Sequence, residues 1–274
     1  MSNDKKAEFS TDLLADLGQE ASGYHMPEIS NRDHALFLIE ERDLEAQLIA
    51  IKSALRRNQK AEEAVSENIR ELEAHIRSYA GGDDEYQMHI EGQWVDALHD
   101  SVFQDAAHSM AAVGMLAPFT ESLFVTIFAG LRMRAQGEGN TDPRATAAQD
   151  QYWNPQIVFR SGGLKDDLVA GIAQLSTSTG LQAFLPDGYE KTLSALFGYR
   201  NNMFHNGFEW PLETRQKFAN RIKNDGWPTD WFQKAMHNND PWIFYMSATF
   251  IERCLETIDY VLDGIGRYLA REKI

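Results

Sequence analysis

From Asn31 to Ala80 the chain contains neither glycine nor proline, and apolar residues recur through that stretch at alternating spacings of four and three. Leu44, Leu48, Ile51 and Leu55 form one run. Val65, Ile69, Leu72, Ile76 and Tyr79 form a second, with Asn58 and Glu62 at the seam positions between them. This periodicity predicts a helix whose narrow apolar seam must face another helix. Two forms are compatible with it, one long helix with a polar layer or two helices meeting near Arg56. Periodicity alone leaves the facing helix open, either a later segment of this chain or a second copy. Residues 1–30 differ in kind, being polar with a net charge of −4 and containing Gly18, Gly23 and Pro27. They read as a mobile N-terminal segment, with one or two helical turns over Thr11–Leu17.

After Gly81-Gly82-Asp83-Asp84, helical patterns resume from Gln93 to Leu116, stop at Pro118 and restart behind Thr120 as N-cap. Leu123, Phe124, Ile127, Phe128 and Leu131 share one apolar face. Gly137 to Pro155 reads as a long surface loop. A helix follows over Leu164–Leu175, and Pro186-Asp187-Gly188 introduces another that Asn206-Gly207 stops. Two short helices between Leu212 and His237 then lead to a long one from Pro241 to Arg271, with Ile243, Phe250, Cys254, Val261 and Ile265 on its inner face. No strand alternation stands out. The expected architecture is an all-α helical bundle spanning 86–274, carrying residues 31–80 as a long helical or coiled-coil extension.

The 274 residues are 43% hydrophobic and 24% charged, within the range of globular proteins. The most apolar stretch, Met110–Met133, is interrupted by Pro118, Thr120, Glu121, Ser122 and Arg132, which argues for buried core and against a membrane span. The first ten residues lack the apolar core of a secretory signal, and Cys254 is the single cysteine, so a cytoplasmic setting is expected. A net charge of −15 opposes broad attraction to nucleic acid or anionic lipid. Locally the balance reverses: six basic residues (Lys191, Arg200, Arg215, Lys217, Arg221, Lys223) against Glu209 and Glu213 give +4 between residues 191 and 223.

That basic stretch contains Tyr199-Arg200-Asn201-Asn202-Met203-Phe204-His205-Asn206-Gly207. On a helix Asn201 and His205 stand one turn apart on one face, and Arg200 emerges beside them. A guanidinium can hold two phosphodiester oxygens, and an imidazole can move a proton near neutrality. Metal-free RNA cleavage needs both functions, a base for the 2′-hydroxyl and a cation for the charge that builds on the phosphate. One copy carries too few groups for both acid and base, which points to a homodimer.

The run Arg200-Asn201-Asn202-Met203-Phe204-His205 resembles the R-x4-6-H signature of the HEPN superfamily, and the all-helical context agrees over about 163–274. The resemblance implies a metal-independent endoribonuclease of the toxin–antitoxin or phage-defence kind, with Arg200 and His205 catalytic and Asn201 supporting them. Tyr199 and Asn202 become lesser substrate contacts, and Lys217, Arg221 and Lys223 line the approach of single-stranded RNA. No cofactor or metal is expected: the remaining histidines lack zinc-ligand spacing, and Gly162-Gly163-Leu164-Lys165 lacks the rest of a P-loop. Asp83-Asp84-Glu85 and Asp166-Asp167 read as helix-start carboxylates. Trp210, Trp227, Trp231 and Trp242, with Phe208 and Phe232, read as core packing before base stacking. Cys254 reads as core too. The competing function, from another class, is a non-catalytic adaptor that oligomerises or binds a protein partner through residues 31–80.

Overall fold

The computed structural model describes residues 29–39, 42–137, 150–160 and 163–271. The turns expected at Thr11–Leu17 and residues 138–149 of the expected loop lie outside them. The fold is all-α with two small β-hairpins. In chain order, α1 is Asn31–Leu38, α2 Leu44–Ser78, α3 Asp84–Gly137 and α4 the single turn Asp150–Trp153. Strands β1 (Ile157–Arg160) and β2 (Gly163–Asp166) follow, then α5 (Leu168–Ser178), a 3-10 turn (Leu181–Phe184) and α6 (Tyr189–Asn206). The chain ends with α7 (Leu212–Asn224), β3 (Phe232–His237), β4 (Asp240–Met246) and α8 (Ala248–Arg271).

The Asn31–Ala80 stretch does form two helices, but α1 ends at Leu38 and α2 begins at Leu44, not near Arg56. There Asp43 caps α2 by accepting from the Ala46 N–H at 2.9 Å. Short α1 belongs to the body. Arg32 reaches both Glu45 (2.8 Å) and Asp259 (2.9 Å), and Lys52 adds a second cation to Asp259 at 2.7 Å. Gly266 makes the approach of α1 to α8 possible, because a Cβ there would stand 1.7 Å from the Asn31 carbonyl oxygen.

Helix α2 runs unbroken through Arg56, and its seam faces α3 of the same chain. Leu44, Leu48 and Leu55 enter the core, whereas Val65, Ile69, Leu72 and Ile76 are half-buried along the antiparallel first part of α3. Glu62 meets His108 at 2.7 Å, and the Tyr79 and Tyr86 rings pack 5.2 Å apart near the reversal at Gly81-Gly82.

Pro118 does not end a helix: α3 continues through it for 54 residues. The ring sits at an exposed position, and the Thr120 hydroxyl, expected as an N-cap, donates instead to the Leu116 carbonyl at 2.7 Å. By length and composition Asp84–Arg134 could cross a membrane, yet 56% of its apolar window is buried within the protein. Ala112, Val113, Leu116, Leu123, Phe124, Ile127 and Phe128 pack into the core shared with α6 and α8.

Both hairpins replace expected helix. Leu164 and Lys165 lie in β2, paired antiparallel with β1, and Gln174 of α5 clamps the pair by bonding both N–H and C=O of Phe159 at 2.9 Å. Helix α5 starts only behind Asp167, its N-cap. Phe232 to Met246 is the second hairpin in place of a short helix and the start of a long one, so Ile243 lies in β4 and not on the last helix. Asn238 and Asn239 form its two-residue turn with φ of 48° and 66°, a left-handed pair that asparagine tolerates. Helix α8 begins after Ser247, whose hydroxyl accepts from the Phe250 N–H at 3.1 Å.

Candidate functional site

The motif helix α6 is bounded by Gly188 (φ 74°) and Gly207 (φ 70°), whose N–H caps the Met203 carbonyl. Its centre is core, with every residue from Ala195 to Tyr199 buried. Tyr199 is fully buried, stacks 5.3 Å from Phe232 and donates its hydroxyl to the Phe244 carbonyl at 3.0 Å. Burial pushes that phenol far above its ordinary pKa. The expected substrate contact at Tyr199 is therefore corrected: the ring anchors the helix.

Arg200 is the first side chain to emerge. Its Nη1 donates to the Asn201 Oδ1 at 3.4 Å, and among the described residues it has no carboxylate partner. Both line an open groove of about 790 Å³ between α6 and the start of α5, which also takes in Arg221 of α7 and Gln156. Gly198 lets Arg221 lie across α6, since a Cβ there would meet the guanidinium at 2.7 Å. Arg221 is already engaged, bonding Asp225 at 2.8 Å and Ser194 at 3.2 Å while lying 4.9 Å over the Trp227 ring.

The +4 of the sequence does not become the charge of the groove. Four carboxylates line it, Glu121, Asp166, Asp167 and Glu190, against two arginines. Asp167 is met by Arg160 at 3.2 Å and Glu121 by Gln156 at 2.7 Å, which offsets part of that excess. Lys217 and Lys223 stand exposed on α7 and do not line it. Lys217 pairs with Glu213 at 2.6 Å, a contact that lowers the Glu213 pKa. The groove-lining Ser194 and Gln156 had no signal in the sequence, because their relevance depends on which helices meet.

His205 is exposed in the last turn of α6, with no hydrogen-bond partner among the described residues, and it does not line the groove. It lies roughly 140° around the helix from Arg200 and about 7.5 Å along it. Asn201 is its one-turn neighbour. Asn202 uses its amide N–H on the Gly198 carbonyl at 3.2 Å, which leaves its carbonyl oxygen for other partners. Arg200, Asn201 and Arg221 are thus brought together, and His205 stands apart from them on the same helix. Among the described residues no group of three or more His, Cys, Asp or Glu side chains is placed to hold a metal ion.

The aromatic residues divide. Trp210, Trp227, Trp231 and Phe232 are buried as expected, and Trp242 remains half-buried at the surface. Cys254 is buried, with its thiol pushed well above its ordinary pKa by burial. No family model, curated protein or solved structure matches this chain.

Proposed function

We propose that the protein acts on single-stranded RNA through the outward face of α6, as a metal-independent endoribonuclease of HEPN type. One observation carries this reading. In a strongly acidic protein, α6 turns Tyr199 and Met203 into the core and presents Arg200, Asn201 and His205 outward, with no carboxylate among the described residues ion-paired to Arg200 or His205. Arg200 holds the non-bridging phosphate oxygens with support from Asn201, and His205 takes the 2′-hydroxyl proton. The angular separation of Arg200 and His205 on one helix favours a composite site in a homodimer, where the arginine of one copy and the histidine of the other face one phosphate.

The test is cleavage of a pool of single-stranded RNAs with excess chelator present. Arg200→Ala and His205→Ala should each slow the reaction by ~100-fold or more. Uncut RNA, or variants as active as the parent, would sink the proposal.

A second reading, a helical adaptor, is favoured by the apolar side chains left exposed on the first part of α3: Met88 at 65%, Val95 at 55% and Tyr86 at 43%. Met88→Glu with Val95→Glu should then abolish association in sedimentation experiments, while Arg200→Ala leaves it intact.

A further inference from the structure

Three separate segments converge on the ring of Trp242 in β4. His99 and Phe103 come from α3, His237 from the end of β3, and Glu209 from the turn that follows the motif helix. The His99 ring lies 5.6 Å from the indole with planes 35° apart, and His237 lies at 6.2 Å. Phe103 meets it edge-on at 5.4 Å. The only polar atom of the indole is satisfied, since Nε1 donates to the Glu209 Oε1 at 2.6 Å. The backbone beneath is held as well, by Arg215 Nη1 donating to the carbonyls of Pro241 (2.7 Å) and Trp242 (3.4 Å). Trp210, Trp227 and Trp231 are core residues at 2%, 3% and 7% exposure, and the Trp210 Nε1 likewise donates to the Gly207 carbonyl at 2.9 Å. Trp242 is different: it is half-buried, and the His99 side chain packed against it is 60% exposed.

We propose that the Trp242 cluster is a base-stacking platform for an unpaired nucleotide of single-stranded RNA. It is a subsite of the RNA-acting site above and rests on that reading. Aromatic faces held rigid at a surface, with their N–H groups satisfied, gain most from a flat partner, and every base has a π-face. Two features favour a base over an aliphatic or peptide side chain. Two of the three flanking rings, His99 and His237, are imidazoles, which stack on a planar base. The platform is also continuous with the motif: Glu209 follows His205 by four residues, so the two Cα atoms are at most about 14 Å apart along the chain. One bound strand can therefore reach both. Asp100, Glu209 and Asp240 at this end repel phosphate, so the contact is made through the face of the base and the strand's backbone is held elsewhere.

The test is fluorescence anisotropy of a short labelled oligoadenylate RNA with the full chain, against a duplex RNA control. Trp242→Ala should weaken single-strand binding ~10-fold or more, with the same ratio at low and high salt and no change for the duplex. Trp242→Phe should keep binding within about 3-fold of the parent, because a flat ring is retained. His99→Ala, at an exposed position that leaves folding intact, should weaken binding in the same direction. Parent-like binding by folded Trp242→Ala and His99→Ala overturns the platform, as does failure of the parent to bind the oligoadenylate. Loss of self-association in Trp242→Ala with RNA binding unchanged also overturns it, making the cluster an interface between copies. If Arg200→Ala alone loses binding, the platform fails and the motif stands. Should Trp242→Ala alone lose binding, the platform stands and the reading of the motif fails.

Discussion

The layer beneath α6 and the two-helix stretch formed by the second half of α2 with the start of α3 are both written in apolar periodicity, yet they are built to different depths. Under α6, the rings of Tyr199, Trp210, Phe218, Phe232 and Phe244 are linked by ring contacts of 5 to 6 Å and are almost completely buried, closed in by α7 and the β3–β4 hairpin. In the two-helix stretch no residue of α2 after Leu55 is buried, and from Asp84 to Asp105 of α3 only Ile90 is. Periodicity tells a helix which way to face. The number of layers closing over that face sets how much each side chain stabilises. The stretch leans instead on local pairs such as Glu73 with Arg77 and Gln59 with Glu63, each contributing about 0.2–0.5 kcal/mol.

Phe218→Ala should have the largest effect, about 3–5 kcal/mol in urea unfolding, because the ring touches five other aromatics and little can collapse into its space. A loss below about 1 kcal/mol would break the contrast at once. Gly266→Ala comes next at about 2 kcal/mol, since its Cβ would meet main chain of α1 and not a flexible side chain. Amide exchange over Asn31–Leu38 should accelerate first.

Asp105 tests the junction between the two regions. Its carboxyl is pushed up from 3.8 to about 6, chiefly by burial and then by the negative charge of Glu62, with His108 pulling the other way. Between these two values the folded state binds more protons than the unfolded one, so stability falls as pH rises through that window and levels off above about pH 6. Asp105→Asn should flatten the slope and raise stability above that pH by on the order of 1 kcal/mol, a figure reduced for solvent screening at a half-buried site. A slope unchanged in the variant would assign the dependence to another group. Leu72→Ala should have the smallest effect, about 1 kcal/mol, from a half-buried seam position. If its effect matched that of Phe218→Ala, the two-helix stretch would be core after all.

Several of these features are legible in the amino-acid sequence alone. Gly188 and Asn206-Gly207 bound the motif helix where expected, the Leu44–Leu55 run is a helix seam, and the apolar residues of Met110–Met133 are largely core. Other patterns mislead for identifiable reasons. Pro118 reads as a stop because a proline removes one ladder bond, but at an exposed position in a helix packed on several neighbours that loss is outweighed. Trp242–Met246 is a short apolar run, a pattern equally suited to strand and buried helix, and only the Asn238-Asn239 turn and the cap at Ser247 separate the two.

By itself, then, the sequence determined where the motif helix starts and stops, which residues share a helical face, and that Arg200, Asn201 and His205 occur within one helix. Caps and periodicity act between residues about four positions apart, so they are readable in one dimension. Tertiary structure alone decided that Tyr199 is an anchor, that Arg221 is already paired, that carboxylates from α3, β2 and α6 outnumber arginines in the groove, and that Trp242 stays at the surface while its neighbours are buried. Exposure and net field depend on residues brought together from distant parts of the chain, and no local pattern encodes them.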